Sequence, residues 1–204
     1  MIARICFVCT GNICRSPTAE VVFRQLLADA GLAGRVVVGS AGTGPWHAGN
    51  DMDPRARQAL LLRGYRPGRH VAWQFTAADF GRYDLVLAID SGHLARLSRL
   101  ALIADDPAEA VASLSLLGSY DSAGELDVPD PYHDDERGFD LVLDQLERAC
   151  TGLLAALRPR LAAEPEPPGG LGGPGRSGEP IRPSAPKLTV GTDRLASAGG
   201  PPEQ

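Results

Sequence analysis

Cys9-Thr10-Gly11-Asn12-Ile13-Cys14-Arg15-Ser16 is the stretch around which the chain is organised. Ahead of it, Ile2-Ala3-Arg4-Ile5-Cys6-Phe7-Val8 is short, mostly apolar and rich in β-branched side chains, which reads as a buried strand. Behind it, Val22, Phe23, Leu26 and Leu27 share one face of a helix expected from Ser16 to Ala30. Pro17 fits the first turn of that helix, where its missing N–H costs nothing. The order is therefore strand, tight loop, helix N-terminus. Such a loop turns successive backbone N–H groups inward, and the helix adds its positive end, so the pair suits an oxyanion. Gly11 and Asn12 are the residue types that tolerate the left-handed backbone this turn demands.

A cysteine and an arginine bracket the loop. The thiolate is the nucleophilic form of cysteine, and a helix N-terminus and a guanidinium both favour it. Arg15 can reach back across the loop and grip two phosphoryl oxygens at once. Ser16 can donate a hydrogen bond to the sulfur. A bare Cys-x5-Arg is a weak motif, and the alternative is a buried cysteine at a strand end beside a surface arginine. Three features point instead to an anion site: the strand–helix placement, the Gly-Asn-x-Cys filling, and the continuation Ser-Pro-Thr-Ala-Glu.

The 204 residues suffice for one domain with a sizeable core. The net charge of −5 comes without a block of like charge, so no footprint for nucleic acid or an anionic membrane is expected. No run of about 18 apolar residues suggests a membrane span, and the first residues lack the character of a signal peptide. Cys6, Cys9, Cys14 and Cys150 do not form a secreted disulfide framework, and no histidine spacing completes a zinc site. Neither metal nor cofactor is implied, and a reducing cytoplasm suits a thiolate enzyme. Cys6 and Cys150 read as inert core residues, and Cys14 as either a packed side chain or a partner for Cys9.

Further along, Val36-Val37-Val38 reads as a second strand ending near Ser40, followed by an irregular loop over 41–51 that holds Trp46. Asp53-Pro54 starts a helix, Gly64 ends it, and Arg55, Arg57 and Arg63 form its solvated face. Thr76 caps a short helix. Asp84 to Asp90 reads as a third strand, with Asp90 as a helix cap or supporting anchor at its carboxyl end. Ser91 then leads into a helix to about Leu100. A fourth strand lies within 110–117, best at Ser113 to Leu117. The polar loop over 118–138 carries Asp127, Asp130, Asp134, Asp135 and Glu136 but no calcium-loop spacing. Apolar residues from Phe139 to Leu157 recur at helical spacing, ending near Pro159. A domain over 1–162 and a disordered Pro/Gly-rich tail over 163–204 follow. Ile181-Arg182-Pro183-Ser184-Ala185-Pro186 in that tail has proline spacing suited to a recognition module, although a plain linker has the same composition. The class is α/β, a four-stranded parallel sheet with helices on both faces and the phosphate-binding loop after strand 1.

Val8 to Pro17 resembles the signature of the low-molecular-weight protein tyrosine phosphatases. Asp130-Pro131-Tyr132 resembles the family's general-acid loop, and Ser40-Ala41-Gly42-Thr43, Trp46 and Leu117-Gly118-Ser119-Tyr120-Asp121 match in order. The resemblance implies strand order 2-1-3-4. It implies Cys9 as nucleophile, Arg15 as phosphate clamp, Asp130 as proton donor, and Thr10, Gly11, Asn12, Ile13, Cys14 and Ser16 as the remaining loop. It further implies that Ser40 bonds Asn12, that Trp46 and Tyr132 wall the cleft, that Cys14 is a resolving thiol, and that His70 supports the core near Asp90. His133 departs from the family's second tyrosine. The implied function is hydrolysis of phosphotyrosine in proteins by a cytoplasmic, monomeric phosphatase without cofactor. The alternatives are a phosphoarginine phosphatase on the same scaffold, whose relatives carry threonine in place of Ile13, a thiol-dependent arsenate reductase, which needs relay cysteines absent between Cys14 and Cys150, and a non-catalytic phosphate-binding protein.

Overall fold

Alternation along the first strand decides the layering. In the computed structural model, which describes residues 3–162, β1 (Ala3–Cys9) points Ile5, Phe7 and Cys9 to one face and Cys6 and Val8 to the other, and all five are buried. A strand buried on both faces must read as a continuous apolar run. β2 (Val36–Gly42), β3 (Leu85–Ala88) and β4 (Leu114–Leu116) complete a parallel sheet in the order β2-β1-β3-β4.

Helices cover both faces. On the first, α1 (Arg15–Asp29) and α5 (Glu136–Ala162) pack Val22, Phe23, Leu143, Leu146 and Leu153 against Ile5, Phe7 and Leu87. Phe7 and Phe23 meet edge to face at 5.8 Å. α2 (Pro54–Leu62) joins this layer through Ala56 and Leu60. On the second face, α3 (Ser91–Ala101) brings Leu97 and Ala101 against Val86, Ala88 and Phe75.

Local signals set the boundaries. Asp53 accepts from the Arg55 N–H at 2.8 Å and Pro54 opens α2, while Gly64 closes it at φ 87°. Asp79 accepts from the Thr76 N–H and hydroxyl at the head of a 3-10 helix, Ala77–Arg82. One boundary differs from the sequence expectation. The fourth strand is only three residues long, because the preceding segment forms α4 (Pro107–Ala112). Its cap is the same Asp-Pro pair that opens α2: Asp106 accepts from the Glu109 N–H at 3.0 Å. α5 ends at Ala162, soon after Pro159 as expected; the proline removes one donor near the helix end without stopping it. The tail expected over 163–204 lies outside the described residues.

The parallel sheet places the carboxyl ends of its strands along one edge. The loops after β1, β2 and β3 meet there, with the acidic loop after β4. Open α/β sheets bind ligands at this edge.

Candidate active site

Cys9 is the last residue of β1 and Arg15 the first of α1, so the loop between them closes a strand end onto a helix start. Asn12 makes the turn possible. It is fully buried at φ 58°, the one non-glycine residue with positive φ among those described. Its side chain stabilises that left-handed backbone by bonding throughout: Nδ2 donates to Ser16 Oγ and Ser40 Oγ, both at 3.0 Å, and Oδ1 accepts from the Trp73 N–H at 3.1 Å. Ser40 in turn donates to Glu20 at 2.6 Å. The Asn12 carbonyl lies 2.7 Å from His70 Nε2. His70 therefore braces the loop itself, whereas the resemblance set it near Asp90. The histidine beside Asp90 is His93.

Cys9 Sγ lies 3.0 Å from Ser16 Oγ, whose other acceptor is the Ala41 carbonyl at 3.1 Å. One hydroxyl hydrogen serves one acceptor at a time, so it is available to the sulfur when the sulfur is charged. The four cysteines are free and buried. Burial, with the charges of Asp53 and Cys9, pushes the Cys14 thiol well up.

The buried Arg15 guanidinium spans two carboxylates. Nη1 donates to Asp90 at 2.9 Å and to the Val128 carbonyl at 3.1 Å. Nη2 donates to Asp130 at 2.7 Å and to Thr10 Oγ1 at 3.3 Å. Asp90 also caps α3 by accepting from the His93 N–H at 2.7 Å, so it is both cap and anchor. His93 Nδ1 lies 2.8 Å from an Asp90 oxygen, and Nε2 lies 2.8 Å from Thr10 Oγ1.

Burial alone would raise the Asp90 carboxyl. The His93 ring and backbone N–H and the Arg15 charge outweigh it and hold the group at about 2, below its usual 3.8. A depressed carboxyl stabilises the fold above its unfolded pKa, and that contribution is lost as pH falls through the folded value. Asp90→Asn should therefore cost about 2 kcal/mol near neutrality, and the gap should close between pH 4 and pH 2. Urea midpoints across that range check it; a gap independent of pH would remove charge from the explanation.

Above the loop opens a cleft of about 220 Å³, lined by Cys9, Ile13, Arg15, Trp46, Asp130 and Tyr132, with His47 beside them. Trp46 and Tyr132 are both exposed at its rim. The Trp46 ring packs directly on Gly44, where an added Cβ would meet it at 2.0 Å. The acidic loop is tied down by Arg55. Its guanidinium pairs with Asp53 at 2.9 Å, donates to the Tyr132 carbonyl at 3.1 Å, and packs on the Phe139 ring at 4.6 Å. Asp53 N–H bonds the Ile13 carbonyl at 2.8 Å, so one chain of contacts links both sides of the cleft.

The structure thus gathers Cys9, Arg15, Asp130 and the loop residues at one place, with Ser40 beneath and Trp46 and Tyr132 above. Sequence reading missed three contributors. Arg55 was expected on a solvated face, yet it holds the acidic loop. His47 and His93 gave no signal beyond being histidines near the site. Among the described residues, no cluster of three or more His, Cys, Asp or Glu could hold a metal ion.

A cysteine at a strand end and a buried arginine at the following helix start, joined by a tight loop, define a class: α/β proteins with their site at the carboxyl edge of a parallel sheet. The family model described as low molecular weight phosphotyrosine protein phosphatase matches residues 4–163. A low molecular weight protein-tyrosine-phosphatase of Streptomyces coelicolor is 52% identical over 161 residues, covering 78% of this chain and 95% of the relative. The Homo sapiens low molecular weight phosphotyrosine protein phosphatase is 38% identical over 150 residues, covering 74% and 92%. The crystal structure of a protein tyrosine phosphatase from Entamoeba histolytica, with Hepes in its active site, superposes with a TM-score of 0.72 at 31% identity, covering 78% of this chain and 98% of that one. The chain belongs to the low molecular weight phosphotyrosine protein phosphatase family, and it is a hydrolase.

Proposed function

We propose that the chain hydrolyses phosphotyrosine in proteins through a phosphocysteine on Cys9. The observation that carries this reading is the convergence of Cys9 Sγ, the Arg15 guanidinium and the Asp130 carboxylate on one cleft. Cys9 thiolate attacks phosphorus in line with the aryl oxygen, forming the S–P bond as the P–O bond breaks. Backbone N–H groups of residues 10–15 and Arg15 hold the three equatorial oxygens. Asp130 in its acid form protonates the departing phenolic oxygen. It then takes a proton from the water that displaces sulfur, which releases phosphate and restores the thiolate.

Arg15 enters the cycle already oriented. Asp90 and the Val128 carbonyl hold Nη1, so Nη2 can leave Asp130 for a phosphoryl oxygen without the side chain losing its place. An arriving phosphoryl group competes with Asp130 for that edge, and binding separates the ion pair.

Ile13 in the cleft wall favours a phenol ring over a guanidine, for which it offers no hydrogen bond. A phosphotyrosine peptide should be cleaved with kcat/KM at least about 100-fold above its phosphoarginine counterpart, given the cost of leaving a polar group unpaired against an apolar wall. A preference for phosphoarginine would reverse the assignment, and cleavage of neither would leave a phosphate-binding protein. The partners on this reading are phosphotyrosine proteins, not nucleic acid, and the enzyme works as a cytoplasmic monomer. No described helix is long and apolar enough to cross a membrane.

A further inference from the structure

Beyond Trp46 lies a second cavity, of about 280 Å³, that the chemistry does not use. Phe75, Leu100 and Ile103 give it an apolar lining, and Arg96 and Arg99 stand at its edge. Two contacts join it to the cleft. The Arg96 guanidinium sits over the Trp46 ring at 5.4 Å, so the cleft wall and this cavity share one side chain. Thr43, in its lining, donates its N–H to the Cys9 carbonyl at 2.8 Å.

This face carries two cations beside the cleft; Arg66 and Arg69, at a groove that does not adjoin Trp46, are the same in lacking an ion pair among the described residues. Arg96 and Arg99 are exposed and three residues apart on α3, hence on one side of the helix. Arg24, Arg57, Arg63 and Arg148, elsewhere on the surface, each hold a carboxylate. Neither Arg96 nor Arg99 has an ion pair or hydrogen bond among the described residues, in a chain with 25 acidic and 20 basic side chains. Arg99, in the last turn, also complements the α3 dipole. That accounts for nothing at Arg96, whose stacking on tryptophan orients a cation without neutralising it.

We propose that this cavity receives the residues flanking phosphotyrosine in a protein substrate and selects acidic ones through Arg96 and Arg99. The proposal rests on the phosphotyrosine reading of the cleft. With the phosphotyrosine ring between Trp46 and Tyr132, the adjoining peptide crosses the Trp46 rim. An acidic side chain then meets the two guanidinium groups, and a neighbouring apolar one covers Ile103, which is 73% exposed.

The test compares phosphotyrosine peptides that differ only in carrying Glu or Gln beside the phosphotyrosine, with the substitution placed on each side in turn. On the full chain at low salt, kcat/KM should favour a Glu peptide by about 3- to 10-fold, as expected for one or two exposed ion pairs, and the ratio should shrink as salt rises. In the Arg96→Ala/Arg99→Ala protein the ratio should fall to near one, and in the Arg96→Glu/Arg99→Glu protein below one. Both peptides are read on the same preparation, so partial unfolding cancels. Cleavage of all peptides with no preference in the parent protein, or a preference that survives the double substitution, overturns the subsite and leaves the phosphatase standing. Cleavage of none overturns both.

Discussion

Cys9→Ser should abolish hydrolysis of aryl phosphates, with kcat falling on the order of 10⁴-fold or more, while inorganic phosphate still binds. A hydroxyl is a far weaker nucleophile than a thiolate, and no histidine contacts Ser16 or the sulfur to act as a base in its place. The anion cradle should survive. Asn12 is fixed by Ser16, Ser40 and Trp73, and Arg15 by Asp90 and Val128, none of them through the sulfur. Calorimetric phosphate binding beside steady-state kinetics separates the two effects. Retained turnover would refute Cys9 as nucleophile, and lost turnover with lost binding would point to a collapsed loop.

Asp130→Ala should slow cleavage in proportion to how badly the leaving group needs a proton. For phosphotyrosine the expected loss is about 10²- to 10⁴-fold, the usual contribution of a positioned general acid. For p-nitrophenyl phosphate, whose leaving oxygen carries its own charge well, the loss should be smaller. Asp130 is about half exposed at the cleft edge and is not part of the core, so removing it should leave the fold intact. It also frees Arg15 Nη2, which should tighten phosphate binding. A plot of log kcat/KM, which covers only the steps up to leaving-group departure, against leaving-group pKa should be steeper for the variant than for the parent. Parallel lines would take the proton-donor role away from Asp130.

The residues of the loop were legible because each solves a local problem. Only a residue that tolerates positive φ could make the turn at Asn12, and an apolar β1 buried on both faces could only lie inside a sheet. Asp53-Pro54 marked its helix for the same local reason. The identical signal at Asp106-Pro107 was overlooked because the apolar residues behind it read equally well as strand, and α4 is short. The contacts of Arg55, His70 and His93 stayed hidden for a different reason. Their partners, Tyr132, Asn12 and Thr10, are 58 to 83 positions away, and no periodicity reports a contact of that range.

The sequence by itself determined the strand–loop–helix unit, the α/β class and the residues able to do the chemistry, since these follow from backbone preference and side-chain type over short spans. The family resemblance added the strand order and the proposal of Asp130 as proton donor. Tertiary structure alone decided that Arg15 is shared between Asp90 and Asp130, that His70 rather than a nearer residue braces Asn12, and that Arg96 stacks on Trp46 at the rim of the cleft. The physical reason is that charge pairing and burial depend on distance through space, which the chain acquires only when its four strands align their carboxyl ends along one edge.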